Sequence, residues 1–386
     1  MSPREAVIVD AVRTPIGRRN GSLATFHPND LLAIALKALV ERSGVDPGVV
    51  DDVVGGCVSQ VGEQSTNTTR NGWIAAGLPW HVPATTVDRQ CGSSQQAVHF
   101  AAQGVMAGSY DIAVACGVEV MSRVPLASNA RGGDGPFSPG FMAAVDGKLL
   151  TQFECSQILA DKFGITRHDM DEFSLQSHQR AAAATDAGKF ANEIVPVTLA
   201  DGRVMTADEG IRRDTSLERL AALPSAWNET TPGITAGNAS QVSDGAAAML
   251  IADRETAERL GLPIRARFVH LSVGGDDAVN VLSAPNPVTR RMLERTGMKI
   301  DEFDAVECNE AFAAIALMWA KEFKPESERY NGWGGAIAIG HPLGASGVRL
   351  MTTLLSRLED GGGRYGFQTM CEGGGQANAT VIERLG

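Results

Sequence analysis

The chain has 386 residues, 44% of them hydrophobic and 20% charged, with a formal net charge of −11. That length exceeds what one core supports and predicts two or three globular domains. The negative balance argues against nucleic acid and anionic membranes as partners, since both select clustered lysine and arginine, but it leaves room for a small anionic ligand held by a few local arginines.

The N-terminal stretch MSPREAVIVDAVRTPIGRRNG enters a strand-like run at once, without the basic start and long apolar stretch of a signal peptide. No run of 18 apolar residues is present, so no membrane span and a cytoplasmic location are expected. Further along, EAVIVDAV, DDVVGGCV and DIAVACGV predict buried strands, and DLLAIALKALVERSG predicts a helix ended by glycine. From about residue 119 to 243 the rhythm breaks: SNARGGDGPFSPGFMAAVDGKLL precedes helical text, which predicts a loop-and-helix insertion, and DGAAAMLIAD predicts a returning strand. In the C-terminal part, IRARFVHLSV, FDAVECNEA, YGFQTMCEG and ATVIERL predict strands, and VTRRMLERTG and GVRLMTTLLSRLEDGGG predict helices. In the last helix Leu350, Met351, Leu354, Leu355 and Leu358 fall on one face, with Arg349, Arg357 and Glu359 expected on a solvated one. The two ends also resemble copies: Cys91 precedes Cys116 by 25 positions, and Ser346 precedes Cys371 by the same interval. A duplicated, layered α/β fold is the expectation.

Six cysteines are spread without a CxxC pair, which disfavours a zinc site or a disulfide scaffold. Two of them stand out. Cys91, in VDRQCGSSQQAVHF, opens a segment with no Asp, Glu, Lys or Arg from Gln90 to Tyr110, a helix expected to be buried nearly all round. A thiol at its start meets unpaired amide N–H groups and the positive end of the helix dipole, which favour the nucleophilic thiolate. Cys371 ends a strand before three glycines, again a setting for an exposed thiol beside backbone donors. In NGWGGAIAIGHPLGASGVRL neither a GxGxxG nor a GxxxxGK[ST] phosphate loop fits; what remains is His341 at a loop tip, the histidine best placed for general-base work. His99 reads as a satisfied core residue, and His168 and His178 as solvated ones. Asn309 and Glu310 end another strand, where Asn309 either caps a helix or orients a water.

These blocks resemble the thiolase family. VIVDAVRTPIGRRNG, CGSSQQA, GITAGNASQVSDGAAA, NEAFA, GGAIAIGHPLGASG and CEGGGQA are similar to that family's blocks in that family's order, from near residue 6 to the C-terminus. The resemblance implies two βαβαβαββ halves in a five-layered αβαβα arrangement. It places the N-terminal domain at 1–118 plus 244–265, a loop domain at 119–243 and the C-terminal domain at 266–386. It implies Cys91 as acyl-accepting nucleophile, His341 as its base and an oxyanion donor, and Cys371 as the thiol trading a proton with the acetyl-CoA carbon. Asn309 would hold an oxyanion-hole water, and the N–H groups of Cys91 and Gly373 would form a second hole. Ser240, Arg212 (beside Arg213), Ala236 and Phe312 would contact coenzyme A. The implied activity is degradative 3-ketoacyl-CoA cleavage, with coenzyme A as co-substrate, no other cofactor, no metal, and a homodimer or homotetramer. A biosynthetic acetoacetyl-CoA enzyme and an acyl-CoA-binding protein without turnover are the alternatives; Cys371 speaks against the decarboxylating condensing enzymes. Glu372 replaces the hydrophobic residue that often follows the second cysteine, and Thr151-Gln152 replaces a His-Met pair of acetoacetyl-CoA-specific members. The second change points to longer or bulkier acyl groups.

Overall fold

Valine and alanine share the first strand because both of its faces are covered. In β1 (Ala6–Arg13) the side chains Val7, Val9 and Val12 pack to one side, and Ala6, Ile8 and Ala11 to the other. The computed structural model describes residues 4–386. After β1 come α1 (Pro28–Ser43), β2 (Asp52–Gly56), α2 (Thr68–Ala75), β3 (Ala84–Val87), α3 (Ser93–Met106) and β4 (Ile112–Val120). The chain then leaves the sheet, forms α4 (Gln152–Lys162) and α5 (Arg167–Asp186), and returns as β5 (Ser243–Asp253). The second half follows as β6 (Ala266–Gly275), α6 (Pro285–Thr296), β7 (Ala305–Cys308), α7 (Ala313–Phe323), α8 (Ala336–Ile339), α9 (Ser346–Gly361), β8 (Tyr365–Glu372) and β9 (Gln376–Arg384).

Local chemistry sets the helix ends. His27 and Pro28 start α1, and Gly44 at φ 70° ends it in the left-handed turn that favours glycine. Thr151 with Glu154 and Thr166 with Asp169 form reciprocal capping boxes at α4 and α5.

The strands hydrogen-bond in the order β7-β8-β9-β6-β1-β5-β4-β2-β3, with the short strand Gly17–Arg18 added beside β5. In the first half β2 runs parallel to β4, which is antiparallel to β5, which is antiparallel to β1. In the second half β7 runs parallel to β8, then β9 and β6 follow antiparallel in the same sense. The duplication is therefore visible in four strands of each half, β3 being an addition to the first, and Val7↔Arg267 and Ile8↔Ala266 join the halves through β1 and β6.

Three apolar clusters hold five layers together, the middle one filling both faces of the central helix layer. Leu31, Leu32, Leu36 and Trp73 of α1 and α2 cover the outer face of the first half. Val288 and Met292 of α6 and Trp319 of α7 cover the outer face of the second. Between the sheet halves lie α3 and α9, where Ala97, Ala101 and Ala102 meet Met351, Leu354 and Leu355. The strand faces turned inward carry Ala113, Ala115 and Ala247, small enough for two helices to fit.

That middle position overturns one expectation. Arg349 is fully buried and Arg357 is 8% exposed, so α9 has no polar face at these positions. Arg357 survives burial because its Nη1 donates to Glu307 Oε1 at 2.5 Å and its Nη2 to the Arg329 carbonyl at 2.6 Å. The opposite correction holds for α3, which keeps an exposed stripe at Phe100, Gln103 and Met106. Among the described residues no helix is long and apolar enough to cross a membrane.

Candidate active site

Cys91 follows a tight turn. Gln90 takes the left-handed conformation at φ 49°, with its N–H donating to Asp88 Oδ1 at 2.7 Å. Ser93 ties the turn to α3, its Oγ donating to the Gln90 carbonyl at 2.6 Å and accepting from the Arg89 N–H at 3.0 Å. The thiol so placed is buried, with Cys91 4% exposed and Cys371 0% exposed, which corrects the expectation of exposed thiols. The site is internal because the C-terminal half closes over the start of α3. Burial pushes the Cys91 thiol up to about 12, Glu372 adds to the rise, and the N–H groups of Cys91 and Gly373 pull against it. Cys371 lies well above the usual thiol range, through burial first and then through Cys91, Cys308 and Glu372. The two thiols, 280 positions apart in the chain (91 to 371), thus share one interior.

Glycine brings His341 to this place. A side-chain carbon on Gly347 would stand 2.0 Å from the Gln95 nitrogen, and one on Gly344 would meet the Val118 and Gly56 carbonyls at 2.6 and 2.8 Å. Backbone can cross the first half's strand ends here only without side chains. Glu119, which the sequence reading passed over, fastens the crossing. Its buried carboxylate accepts from the N–H groups of Val58 (2.9 Å), Ser59 (3.1 Å) and Gly344 (2.9 Å) and from Gln64 Nε2 (2.7 Å). Ser94 Oγ adds a bond from the Val348 N–H at 3.0 Å.

His341 sits in the loop as expected, but it is 3% exposed and not at a solvated tip. Its Nδ1 lies 2.6 Å from Ser346 Oγ, whose own hydrogen goes to the Pro342 carbonyl at 2.8 Å. Nδ1 therefore carries the ring proton, and Nε2 keeps an unprotonated lone pair. That lone pair faces Asn309 Nδ2 at 3.3 Å. Burial, helped by Arg349, lowers the imidazole pKa to about 3, so the ring is neutral at working pH.

Asn309 is not a helix cap. The residue before α7 is Phe312, which makes no side-chain cap bond. Asn309 instead spends its amide nitrogen on His341, and its Oδ1 has no partner within the chain. Glu310 acts on the next loop: its carboxylate accepts from Ser177 Oγ (2.6 Å), Asn331 Nδ2 (3.0 Å) and the Ile337 N–H (3.2 Å). Those bonds fix the segment leading into His341.

The four positions expected to meet coenzyme A separate. Arg212 and Ala236 line one cleft of about 150 Å³ with His178, Leu220 and Gln241. Arg213 is taken by Asp186 through two bonds of 2.8 Å, leaving Arg212 as the arginine of the cleft. Ser240 is half-buried, its N–H donating to the Ala311 carbonyl at 2.8 Å. Phe312 is 5% exposed and stands edge-on to Phe153 at 5.5 Å, so its ring lies in the packed interior and not in the cleft. His178, expected to be solvated, is also buried, since α5 turns it inward to accept the Arg212 N–H at 3.1 Å. Burial lowers its pKa to about 4. His99 is the satisfied core residue expected, with Nε2 at 2.7 Å from Thr380 Oγ1, and His168 is exposed. Among the described residues no cluster of three or more His, Cys, Asp or Glu could hold a metal.

Comparison with known proteins agrees along the whole chain. Residues 6–255 match the family described as Thiolase, N-terminal domain, and residues 262–384 match Thiolase, C-terminal domain. A steroid 3-ketoacyl-CoA thiolase of Mycobacterium tuberculosis is 47% identical over 388 residues, covering 99% of this chain and 94% of that protein. A beta-ketoadipyl-CoA thiolase of Pseudomonas aeruginosa is 42% identical over 402 residues, covering 99% of this chain and all of its own length (100%). Among solved structures, the Bacillus anthracis acetyl-CoA acetyltransferase superposes with a TM-score of 0.90 at 34% identity, covering 99% of each chain.

Proposed function

Because the chain belongs to the thiolase family, we propose that it is a degradative 3-ketoacyl-CoA thiolase, transferring the shortened acyl group to coenzyme A by way of an acyl-cysteine. The observation that carries this reading is the burial of Cys91 beside Cys371, with Leu343 and Leu350 from the segment just after a neutral His341 packed in one cluster with Cys91. In the proposed first step the Cys91 thiol gives its proton to His341 Nε2 and attacks the 3-keto carbon. The C2–C3 bond breaks, and the electron pair left on the acetyl-CoA carbon takes the proton of Cys371. Acetyl-CoA leaves, and the acyl group stays on Cys91. A free coenzyme A thiol then returns a proton to Cys371, attacks the thioester and expels Cys91, which recovers its proton from His341.

The raised pKa of Cys91 calls for a base, and the depressed pKa of His341 keeps its ring unprotonated though only weakly basic until negative charge develops beside it. A Cys91 thiol near 12 does not ionise alone at neutral pH, so it needs a base at the moment of attack. Nε2, unprotonated and able to exchange its bond from Asn309 Nδ2 for the thiol proton, is proposed as that base. Asn309 and His341 would hold one oxyanion, and the N–H groups of Cys91 and Gly373, already turned to the sulfur, would hold the other. Coenzyme A would lie over the cleft of Arg212 and Ala236 and pass Ser240 on its way to the thiols; no other cofactor is proposed.

The acyl group is taken to be longer or bulkier than acetyl, which the relatives' names and Thr151-Gln152 both favour. A cytoplasmic homodimer or homotetramer is proposed. A thiolysis panel from acetoacetyl-CoA to a steroid-like ketoacyl-CoA tests the reading. Faster cleavage of the larger substrates is expected. A strong preference for acetoacetyl-CoA would favour the biosynthetic alternative, and no turnover of any member would contradict both.

A further inference from the structure

Glu372, directly after Cys371, is fully buried and turned inward. A side-chain carbon on Gly92, the residue after Cys91, would fall 1.8 Å from Glu372 Oε1, so this carboxyl is packed against the backbone of the nucleophile's turn. The charged and titratable groups around it are Arg89 and Cys91 before α3, His99 on α3 and Cys371 on its own strand, with Glu119 and Cys308 beyond the thiols. Arg89 does not reach it as an ion pair; its Nη1 donates to Gln376 Oε1 at 2.7 Å.

One side-chain atom of the Asn378 amide lies 2.6 Å from Glu372 Oε1 and 3.3 Å from Oε2. The amide's other atom lies 3.2 Å from Gln96 Oε1 and 3.1 Å from His99 Nδ1. An ionised Glu372 would take the amide nitrogen of Asn378, with Gln96 turning its own amide to match, but the charge would then be buried with no ion-pair partner among the described residues. If Glu372 carries a proton, no unpaired charge is buried and one chain of hydrogen bonds follows. The Glu372 O–H donates to Asn378 Oδ1, Asn378 Nδ2 donates to Gln96 Oε1 and His99 Nδ1, and His99 Nε2–H donates to Thr380 Oγ1 at 2.7 Å. A separation of 2.6 Å is normal for an O–H···O bond.

We propose that Glu372 is held as the neutral acid by this chain through Asn378, His99 and Thr380, and that it is a positioning residue keeping the pocket of Cys91 and Cys371 free of fixed negative charge. The packing that buries it also raises its pKa well above the usual carboxylate range, in the same direction as the hydrogen-bond geometry. The consequence for the proposed reaction, on which this inference rests, is that negative charge appears in the pocket only on a sulfur or an enolate. Were the carboxyl to ionise, it would oppose thiolate formation at both cysteines.

Infrared difference spectroscopy of the full chain against Glu372→Gln, at neutral pH and without substrate, tests this. A protonated-carboxyl C=O band is expected in the wild type, shifted in D2O and absent from the variant. In parallel, iodoacetamide labelling of Cys91 is followed by mass spectrometry. Near pH 7 the two proteins should label within about threefold of each other, and above the carboxyl's pKa the variant should pull ahead by roughly tenfold, the effect of one pKa unit. Lack of the band, or a tenfold faster variant already at pH 6, would overturn the proposal. Should Glu372→Gln not fold, Glu372→Leu replaces it with the same expectations, and failure of both to fold would also count against it. Neither readout needs turnover, so a chain that cleaves no ketoacyl-CoA would refute the function while leaving this result standing.

Discussion

Two buried carboxylates occupy matching places in the two halves and have opposite characters. Glu119 lies near the end of β4 and Glu372 at the end of β8, strands that are each other's copies. Glu119 is met by four N–H donors, the surroundings of an anion. Glu372 is met only by Asn378, through its backbone N–H and its side-chain amide, with the Arg89 charge, oxygens and sulfurs beyond. Burial raises both pKa values, but only at Glu119 do four donors pull against it. A duplicated fold therefore fixes where a residue stands, while its neighbours decide what it does. The helix starts teach the same: the turn before α3 supplies Cys91, the proposed nucleophile, and the start of α9 supplies Ser346, which selects the tautomer of His341, the proposed base.

The largest effect should come from removing the first copy's nucleophile. Cys91→Ala is expected to lower thiolysis by roughly 10⁴-fold or more, measured with the preferred ketoacyl-CoA. His341→Ala in the second copy should cost about 10²- to 10⁴-fold, the range for a general base. Ser346→Ala should cost less, about tenfold on kcat, because the ring can still find the productive tautomer without being held in it. The carboxylate contrast is sharpened by a matched pair of amides. Glu119→Gln turns an NH2 towards buried N–H donors and should destabilise by about 2 kcal/mol in urea unfolding, whereas Glu372→Gln, an analogue of the neutral acid, should stay within about 1 kcal/mol. Equal losses would erase the distinction.

A further effect concerns pH. His99 and His341 have pKa values lowered to about 3 and His178 to about 4, each through burial first. A depressed imidazole leaves the folded state neutral while the unfolded chain takes up protons from about pH 6.5 downward. The unfolded state then binds more protons, so this stabilisation is complete above about pH 6.5 and is lost progressively as pH falls towards 4 and then 3. The urea midpoint should fall over that window, and His178→Asn should flatten its upper part, between about pH 6.5 and 4.

Much of the fold was legible because its strands are short β-branched runs and its helices carry their own caps and glycine stops. Cys91, His341 and Cys371 could be singled out because small residues crowd around each. Burial of charge was not legible. Arg357 reads as a solvated residue until Glu307, 50 positions away, is seen beside it, and Glu119 means little until Gly344 of the other half meets it. His178 was misread for the same reason: polar helical text does not reveal that Arg212 lies across from it. One signal for Glu119 was present, a carboxylate inside an apolar strand, which burial rules mark as requiring partners.

The account depends on Cys91 carrying the acyl group inside the pocket that Cys371 and His341 complete. The direct measurement is peptide mass spectrometry after mixing the protein with a 3-ketoacyl-CoA in the absence of free coenzyme A. A thioester on the peptide containing Cys91, released when coenzyme A is added, is the predicted result. Turnover with no such adduct, or an adduct on another cysteine that persists in Cys91→Ala, would contradict it.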